Sequence, residues 1–270
     1  MGALADYDAY LDALRQNRGA DFQMSVAAAR SLRLSALWRA FLPAPGTPTT
    51  SVALDDTSDV AIGPLPTVNT GRLTLLGARA NPGGAGGVCL ILADILNQSG
   101  GLNGTLTTEQ TTNLPTAALT RSTSGEGVMA GLLITATVGG TATTFTVRYT
   151  NQAGTPGQIS TAAAIGGTGF REAGAILPVP LAAGDTGVRS VEGVTLAAST
   201  TTAGAFGVVL FKPLAMIALN DFQGAHVVDA VSSGGFIGSL AQAEPGACIS
   251  LLGVMNAAQV VSGSILLAEV

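Results

Sequence analysis

Residues 132–149 read LLITATV-GG-TATTFTVRY and decide the fold class of this chain. In the second half of the stretch, Phe145, Val147 and Tyr149 alternate with polar or charged residues, which is the period-two pattern of a half-buried β-strand. Two glycines between two such runs are typical of a tight turn. The stretch therefore predicts an antiparallel hairpin that turns at Gly139 and Gly140.

Short apolar runs bounded by Gly, Pro, Asn and Asp continue along the chain on both sides of this stretch. They lack the regular alternation of helix and strand that marks a parallel α/β protein. About eight to ten strands separated by turn signals indicate a mainly β chain, with an antiparallel β-sandwich or jelly-roll-like domain. Beyond the hairpin, strands are predicted at residues 74–76, 89–95, 176–181, 190–197, 206–211, 217–219, 247–254 and 264–270.

The first 41 residues differ in composition and predict a short helical N-terminal segment before the β region. They contain nine of the 29 charged residues and no proline. Ser25 is a candidate N-cap for a second helix that ends at Phe41, and Gly19 is a candidate stop for the first. The first helix is predicted from apolar residues at helical spacing, which are Leu4, Tyr7, Leu11 and Leu14.

A proline-rich stretch separates the two regions. Pro43, Pro45 and Pro48 cannot continue a helix and favour an extended linker. We therefore predict a helical arm with its linker over residues 1–45 and a β-rich domain over residues 46–270. The β-rich domain is expected to be one unit or two subdomains that divide near residue 120.

The chain carries few charges for its size. Charged residues make up 11% of the sequence, against about 25% in an average soluble domain. Such a surface is explained by burial against other chains in a homo-oligomer, or by coverage with Thr, Ser and Gly in a monomer. The net charge of −5 argues against a nucleic-acid partner. No clean apolar run reaches the roughly 20 residues of a membrane span.

No stretch of the sequence predicts catalysis, and we expect no enzyme, no cofactor and no metal. The only histidine, His226, lacks a nucleophile motif nearby. The glycine-rich residues 81–87 lack the spacing of a Rossmann loop and the lysine of a Walker loop. A cluster of three aspartates has neither the Gly nor the Glu of a calcium-binding EF-hand loop, and it comprises Asp55, Asp56 and Asp59.

Two further groups of residues leave alternatives open. Cys89 and Cys248 are both flanked by apolar residues, and the sequence does not decide whether they pair. Four arginines of the β region could form ion pairs between chains or ordinary surface pairs within one chain. These arginines are Arg121, Arg148, Arg171 and Arg189, and the acidic residues available to them are Glu126, Glu172, Asp185 and Glu192.

Three stretches resemble virion structural proteins of tailed bacteriophages. They are YTNQAG at residues 149–154, GDTGVRSVE at residues 184–192 and VLFKPLA at residues 209–215, and the resemblance extends over residues 50–270. It implies a capsid decoration or cement protein, located in the virion, that stabilises the shell as a homo-oligomer, with a trimer favoured. The implied partners are the major capsid protein or other virion proteins.

The N-terminal arm is the candidate partner-binding element. It could dock on a neighbouring subunit or pack back on its own β domain, and its candidate contact residues are Leu34, Leu37, Trp38 and Phe41. Two other functional classes stay open. A tail tube or baseplate subunit would form rings or polymers, whereas a carbohydrate-binding module would need a concave site with converging polar groups.

Overall fold

The computed structural model describes residues 19–26, 33–37, 48, 51–62, 73–82, 87–112, 119–219, 226–229, 242–255 and 259–269. In this part of the chain all regular structure is β, which confirms the prediction of a mainly β, antiparallel chain. The strands are β1 (Gly19–Val26), β2 (Arg33–Ala36), β3 (Val52–Ala53), β4 (Leu73–Pro82), β5 (Gly87–Gln98), β6 (Gln110–Thr111), β7 (Met129–Ala136), β8 (Thr143–Asn151), β9 (Gln158–Ile159), β10 (Ala163–Ile165), β11 (Ile176–Pro178), β12 (Val188–Leu196), β13 (Ala205–Ala218), β14 (His226–Asp229), β15 (Gln242–Ala243), β16 (Ile249–Met255) and β17 (Gln259–Glu269).

These strands form three antiparallel sheets. Sheet A has the order β1-β17-β4-β14, with β15 also paired to β4. Sheet B has the order β11-β7-β13-β5-β16-β2, with β3 beside the end of β5. Sheet C has the order β10-β8-β12-β6, with β9 also paired to β8. Sheet A therefore combines early and late parts of the chain, sheet B takes strands from its whole length, and sheet C comes from its middle.

Sheet B curls until its two ends meet, so that it forms an almost closed barrel. Ser35 of β2 forms a β-bridge with Ala175, the residue that precedes β11. Beside this bridge, the backbone N–H of Ala36 donates a hydrogen bond of 2.9 Å to the carbonyl oxygen of Gly174. We call this junction the seam. It joins strands that are far apart in the sequence and closes the sheet at one short contact.

The strands of the barrel are tilted, as closure of a sheet requires. Phe206 of β13 pairs with β7, and the next partners around the ring lie in β11, β2, β16 and β5. This path returns to β13 at Ile217 rather than at Phe206. The offset along β13 is the stagger that lets six strands enclose a packed interior instead of a pore.

Three apolar cores follow from this arrangement. The barrel interior is filled by residues such as Ile95, Phe211 and Leu252. Sheet C packs on the outside of β7, β11 and β13, and sheet A packs on the outside of β5, β16 and the end of β13. Sheet B is therefore the middle layer and is covered on both sides.

Strand β13 corrects one expectation of the sequence. The two strands predicted at residues 206–211 and 217–219 are one continuous strand, with register irregularities on either side of Pro213. Proline has no N–H and is tolerated in a sheet at edges and bulges. The ladder between β13 and β7 ends at Phe211. From there on β13 pairs only with β5 among the described strands, so Pro213 removes no donor from a two-sided ladder.

The hairpin predicted at Gly139 and Gly140 is wrong. Strand β7 lies in sheet B and β8 lies in sheet C, so the glycines join two layers and not two paired strands. Ile134 of β7 and Phe145 of β8 bury their side chains in the same core from opposite sides. A period-two pattern indicates only that one face of each strand is buried. It is satisfied equally by face-to-face packing and by side-by-side pairing.

The helix predicted from Ser25 to Phe41 is also wrong over the described residues, because Ser25 lies in β1 and residues 33–36 form β2. Leu34 and Ala36 both contact the barrel-interior core, which is the spacing of a strand. Pairing of β2 with β16 overrides the local helical pattern. The first predicted helix, before Gly19, lies outside the described residues. The division at residue 45 stays a prediction.

We predict that Gly139→Ala destabilises the protein by at least about 2 kcal/mol. A Cβ at residue 139 would overlap the backbone of Thr200, which has no flexible atom to move away. The matched control is Gly140→Ala, where the nearest atom is the Arg171 guanidinium at 3.1 Å and a flexible side chain can yield. Urea unfolding should show a change within about 0.5 kcal/mol for the control. Equal effects of the two substitutions would contradict the close approach at residue 139.

Candidate functional site

Two of the stretches that carry the virion-protein resemblance meet at one end of sheet C. Residues 149–154 include the end of β8 and the turn after it, residues 184–192 include the start of β12 and the turn before it, and Asn151 pairs with Val188. The buried Tyr149 hydroxyl donates a hydrogen bond of 2.6 Å to Asp185 Oδ2, and Asn151 Nδ2 donates one of 2.7 Å to Asp185 Oδ1. The Tyr149 hydroxyl also accepts a bond of 2.8 Å from the N–H of Ala182. The Asp185 carboxylate therefore fastens this loop to the end of β8.

Gln152 and Arg189 extend these contacts to a third turn. Gln152 Oε1 accepts the N–H groups of Thr186 and Gly187 at 3.1 and 3.2 Å. Arg189 Nε donates to the carbonyl oxygens of Ser124 at 3.1 Å and Gln152 at 3.0 Å. We call the group of Ser124, Tyr149, Asn151, Gln152, Asp185 and Arg189 the turn cluster. It ties three turns into one surface.

Two glycines make room for the Arg189 side chain in the turn cluster. Gly125 and Gly154 have φ values of 72° and 82°, in the left-handed region that favours glycine. A Cβ on Gly125 would lie 2.8 Å from Arg189 Cγ, and one on Gly154 would lie 3.2 Å from Arg189 Nη1. The guanidinium thus lies in a slot between two turns. This explains why glycines occur at these places in the sequence.

The turn cluster fits a structural role better than acid–base chemistry. Burial, together with the hydrogen bond to Asp185, raises the pKa of Tyr149 to about 12. A phenol with that pKa stays protonated near neutral pH and is a poor general base. The polar contacts described in the cluster hold backbone groups in place. What the arrangement provides is a rigid, partly exposed polar surface.

The outer face of sheet C carries a second polar group. Arg148 Nε donates to Glu109 Oε2 at 3.0 Å, and Arg148 Nη1 lies 3.2 Å from Glu192 Oε2. The Thr150 hydroxyl donates a bond of 2.6 Å to the other oxygen of Glu192. The hydrogen bond from Arg148 lowers the pKa of Glu109 and is reflected in a raised pKa of the guanidinium. These exposed pairs contribute little to stability.

The four arginines singled out in the sequence all make contacts within the chain. Arg148 pairs with Glu192, as one of the expected combinations, and Arg171 lies 3.6 Å from Glu172. Arg189 binds backbone carbonyl oxygens in the turn cluster. Arg121 pairs with Asp94, a residue that the sequence analysis did not consider.

The pair of Asp94 and Arg121 is buried in the centre of the molecule. Arg121 Nε donates to Asp94 Oδ2 at 3.0 Å and Nη2 donates to Asp94 Oδ1 at 2.8 Å, so the contact is bidentate. The guanidinium also donates to the carbonyl oxygen of Leu54 at 2.7 Å. Asp94 Oδ1 accepts the N–H of Cys248 at 2.9 Å. The turn that carries Arg121 is held by Glu244, which accepts the N–H of Ser122 at 2.7 Å.

Asp94 lies on β5 at the boundary between the two outer cores. Leu92 contacts the core under sheet A, and Leu96 contacts the core under sheet C. Burial raises the pKa of the Asp94 carboxyl, while the hydrogen bonds and charge of Arg121 and the amide of Cys248 oppose that effect. A single carboxylate within an otherwise apolar strand was the signal in the sequence that could have revealed this pair.

The other residues that were considered for chemical roles lie in turns and strands of the fold. Asp55 Oδ1 accepts bonds from the N–H of Thr57 at 3.0 Å and from its hydroxyl at 2.7 Å, and these bonds lower the pKa of Asp55. This is the pattern of a self-bonded turn. His226 begins β14, which pairs with β4. The two cysteines are free thiols: Cys89 is half-buried, and Cys248 is buried in the barrel interior.

Within the described ranges, no group of three His, Cys, Asp or Glu side chains is placed to hold a metal ion. Over the same residues, no helix is long and apolar enough to cross a membrane.

The candidate partner-binding residues are placed only in part. Leu37 is buried in the core between sheets A and B, and Leu34 is half-buried beside the barrel interior. Both therefore pack within this chain, which corresponds to the second alternative for the N-terminal segment. Trp38 and Phe41 lie outside the described residues. A contact of these four residues with a partner stays a prediction.

Comparison with known proteins gives distant similarities. No protein-family model matches the chain, and no curated protein matches it. Among solved structures, the chain is similar to the VP2 subviral particle of infectious bursal disease virus, at 9% identity and a TM-score of 0.21, over 94% of this chain and 80% of that chain. A second VP2 structure, of mutant T=1 particles from the same virus, gives 10% identity and a TM-score of 0.23, over 94% and 77% of the two chains. TM-scores this low do not define a shared fold.

We predict that Arg121→Met destabilises the protein by about 3–5 kcal/mol, because it leaves the buried Asp94 carboxylate without its partner. The double variant Asp94→Asn, Arg121→Met should lose less than the sum of the two single variants, since the amide oxygen can still accept the N–H of Cys248. Urea unfolding of all four proteins completes the cycle. Strictly additive effects would contradict a coupled buried pair.

We predict that one of the three tyrosines ionises at about pH 12. The pKa of Tyr149 in the folded chain exceeds its ordinary value of about 10, so the folded state holds the proton more tightly between pH 10 and 12. The stability contributed by Tyr149 is therefore complete below pH 10 and is lost as the pH rises through this window.

Phenolate absorbance measures this step, and circular dichroism shows whether the chain is still folded. Tyr149→Phe should remove the late step from the absorbance titration. Ionisation of all three tyrosines near pH 10 in the folded wild type would contradict the buried hydrogen bond.

Proposed function

We propose that this chain is a structural virion protein: a capsid decoration or cement protein that binds the capsid surface as a homo-oligomer, with a trimer favoured. The observation that carries the proposal is the sparse charge of the surface. The 29 charged residues share 11479 Å² of accessible surface, or about one charge per 400 Å². An average soluble protein has roughly twice that density. Extensive burial against other chains accounts for such a surface.

Exposed apolar side chains support this argument. Within the described residues, the large apolar side chains that are exposed are those of Val52, Leu106, Met129, Ile159, Met216 and Val260. Neutral and apolar surface is the kind that subunit contacts use.

A layered β fold suits a protein that reinforces a shell. We assign the face-to-face packing of sheets B and C to the β-sandwich or jelly-roll class. The cores on both sides of sheet B and the tied turns of the turn cluster give a close-packed body of low compressibility. In this proposal the chain is not an enzyme, it is located in the virion, and its partners are copies of itself and the major capsid protein or other virion proteins.

The first test is the mass of the purified full-length chain in solution by light scattering. We expect a closed oligomer with three times the mass of 26.7 kDa. Rings or open polymers would favour a tail tube or baseplate subunit instead. A monomer at micromolar concentration would contradict the argument from sparse charge. It would favour a carbohydrate-binding module as the function of this chain.

A truncated variant tests the role of the N-terminal segment in assembly. Deletion must stop before Gly19, because Phe22 and Leu37 are buried in the core of the chain. A variant that lacks residues 1–18 should stay folded and oligomeric. If it binds shells stripped of this protein as the full chain does, residues 1–18 make no essential contact with the capsid.

A further inference from the structure

We propose that residues 19–37, which carry β1 and β2, are exchanged between neighbouring copies of this chain. In the exchanged form, β1 and β2 of one copy pair with β17 and β16 of the next copy. The proposal deepens the assembly function above and rests on it, because exchange requires a homo-oligomer. It goes beyond that function by naming the segment that links the copies.

The two strands lie where they can leave without disrupting other pairs. Strand β1 is at the end of sheet A and pairs with β17 over residues 19–26, and β2 is at the end of sheet B and pairs with β16. Among the described residues, β1 has no second sheet neighbour. On its other side, the described part of β2 meets the start of β11 at the seam, through the bridge from Ser35 to Ala175 and the adjoining hydrogen bond from the N–H of Ala36 to the carbonyl oxygen of Gly174.

The seam is also short. Strand β2 pairs with β16 over its four residues, Arg33–Ala36, whereas it meets the start of β11 at the single bridge from Ser35 to Ala175. A pocket of about 210 Å³ beside the bridge is lined by Leu34 of β2 and by residues of β10 and β11 together with Phe170. The connection of β2 to β11 is therefore shorter than its connection to β16, and breaking it leaves the β2–β16 pairing intact.

The side chains of the segment determine what must replace it. Ala20, Phe22, Ala36 and Leu37 are buried in the cores of this chain. A segment that simply left would expose these residues and also the cores that they cover. The occupant that restores every contact is the same segment from a second copy. Such exchange of identical elements is a low-cost route to an oligomer.

The sequence after the segment suits a hinge. Pro43, Pro45 and Pro48 favour an extended backbone, which does not fold back by itself. The 14 residues from 38 to 51 can span at most about 50 Å when extended. In an ordered shell, where copies are held close together, the local concentration of the neighbouring site favours exchange.

Exchange would also reconcile two results for the candidate partner-binding residues. The sequence left two alternatives for Leu34 and Leu37, docking on a neighbour or packing on their own β domain, and both pack within the β structure. In an exchanged oligomer they keep the same surroundings, but those surroundings belong to another subunit. The predicted partner contact and the observed packing then describe one site.

Cysteine cross-linking between differently tagged copies tests the proposal. Asp21 of β1 lies directly opposite Ser264 of β17, at a spacing that a disulfide can bridge. One copy carries Asp21→Cys and the other carries Ser264→Cys, both in a Cys89→Ala, Cys248→Ala background. The two copies are co-expressed and oxidised, and the products are separated on a non-reducing denaturing gel.

A matched control uses the same cysteine on β17. Arg79 of β4 lies opposite Ser264 on the other side of β17, and neither strand belongs to the exchanged segment. Copies with Arg79→Cys and Ser264→Cys should therefore give no mixed disulfide. A single chain with both Asp21→Cys and Ser264→Cys reports whether the cysteines close within one chain or between chains.

The expected result is a mixed dimer with the Asp21 and Ser264 variants and none with the Arg79 and Ser264 variants. An oligomer that gives no mixed dimer, with closure inside single chains, would overturn the exchange and leave the assembly function standing. A monomer by light scattering would overturn both. Mixed dimers from both variant pairs would overturn the exchange, because they would show contact that does not depend on β1.

Discussion

The antiparallel pairing of β5 and β13 is the contact on which the three layers depend. Both strands lie in the interior of sheet B, and β5 is buried on its two faces. Its alternate side chains supply three cores: Leu92 contacts the core under sheet A, Leu96 the core under sheet C, and Ile95 the barrel interior. A slip of one residue would exchange inner and outer side chains along the whole strand. The layers are thus coupled through one register.

The buried pair of Asp94 and Arg121 acts on the same register. A carboxylate in the middle of an apolar strand is costly to bury unless it is paired and hydrogen-bonded. Asp94 meets Arg121 and the N–H of Cys248 only when β5, β16 and the turn at residue 121 are in their observed places. Other registers would bury an uncompensated charge. The pair therefore opposes wrong arrangements more than it adds stability to the right one.

The polar groups at the surface are arranged in a similar way. The turn cluster and the Arg148 pairs direct their hydrogen bonds to backbone and side chains of this chain, and so they hold the turns and the outer face of sheet C in place. The N-terminal strands complete the cores while lying at sheet ends.

Much of the local structure was determined by the sequence alone. Alternation of apolar and polar residues predicted a mainly β, antiparallel chain and the approximate positions of β4, β5, β8, β12, β16 and β17. It did so because burial of one strand face requires period two, whatever lies against that face. The low number of charged residues and the lack of a catalytic motif could also be read from the sequence without a structure. The Asp94–Arg121 pair was not, because its members are brought together by strands and turns distant in sequence.

Only the tertiary structure decided which buried faces meet. The same pattern that predicted a hairpin at Gly139 and Gly140 is fulfilled by two layers that pack face to face, and the helical spacing near Leu34 and Leu37 yields to pairing with β16. The stretches at residues 149–154 and 184–192 form one cluster because β8 and β12 are neighbours. A local pattern encodes how much of each residue must be hidden, whereas the partner that hides it is set by the packing of the whole chain.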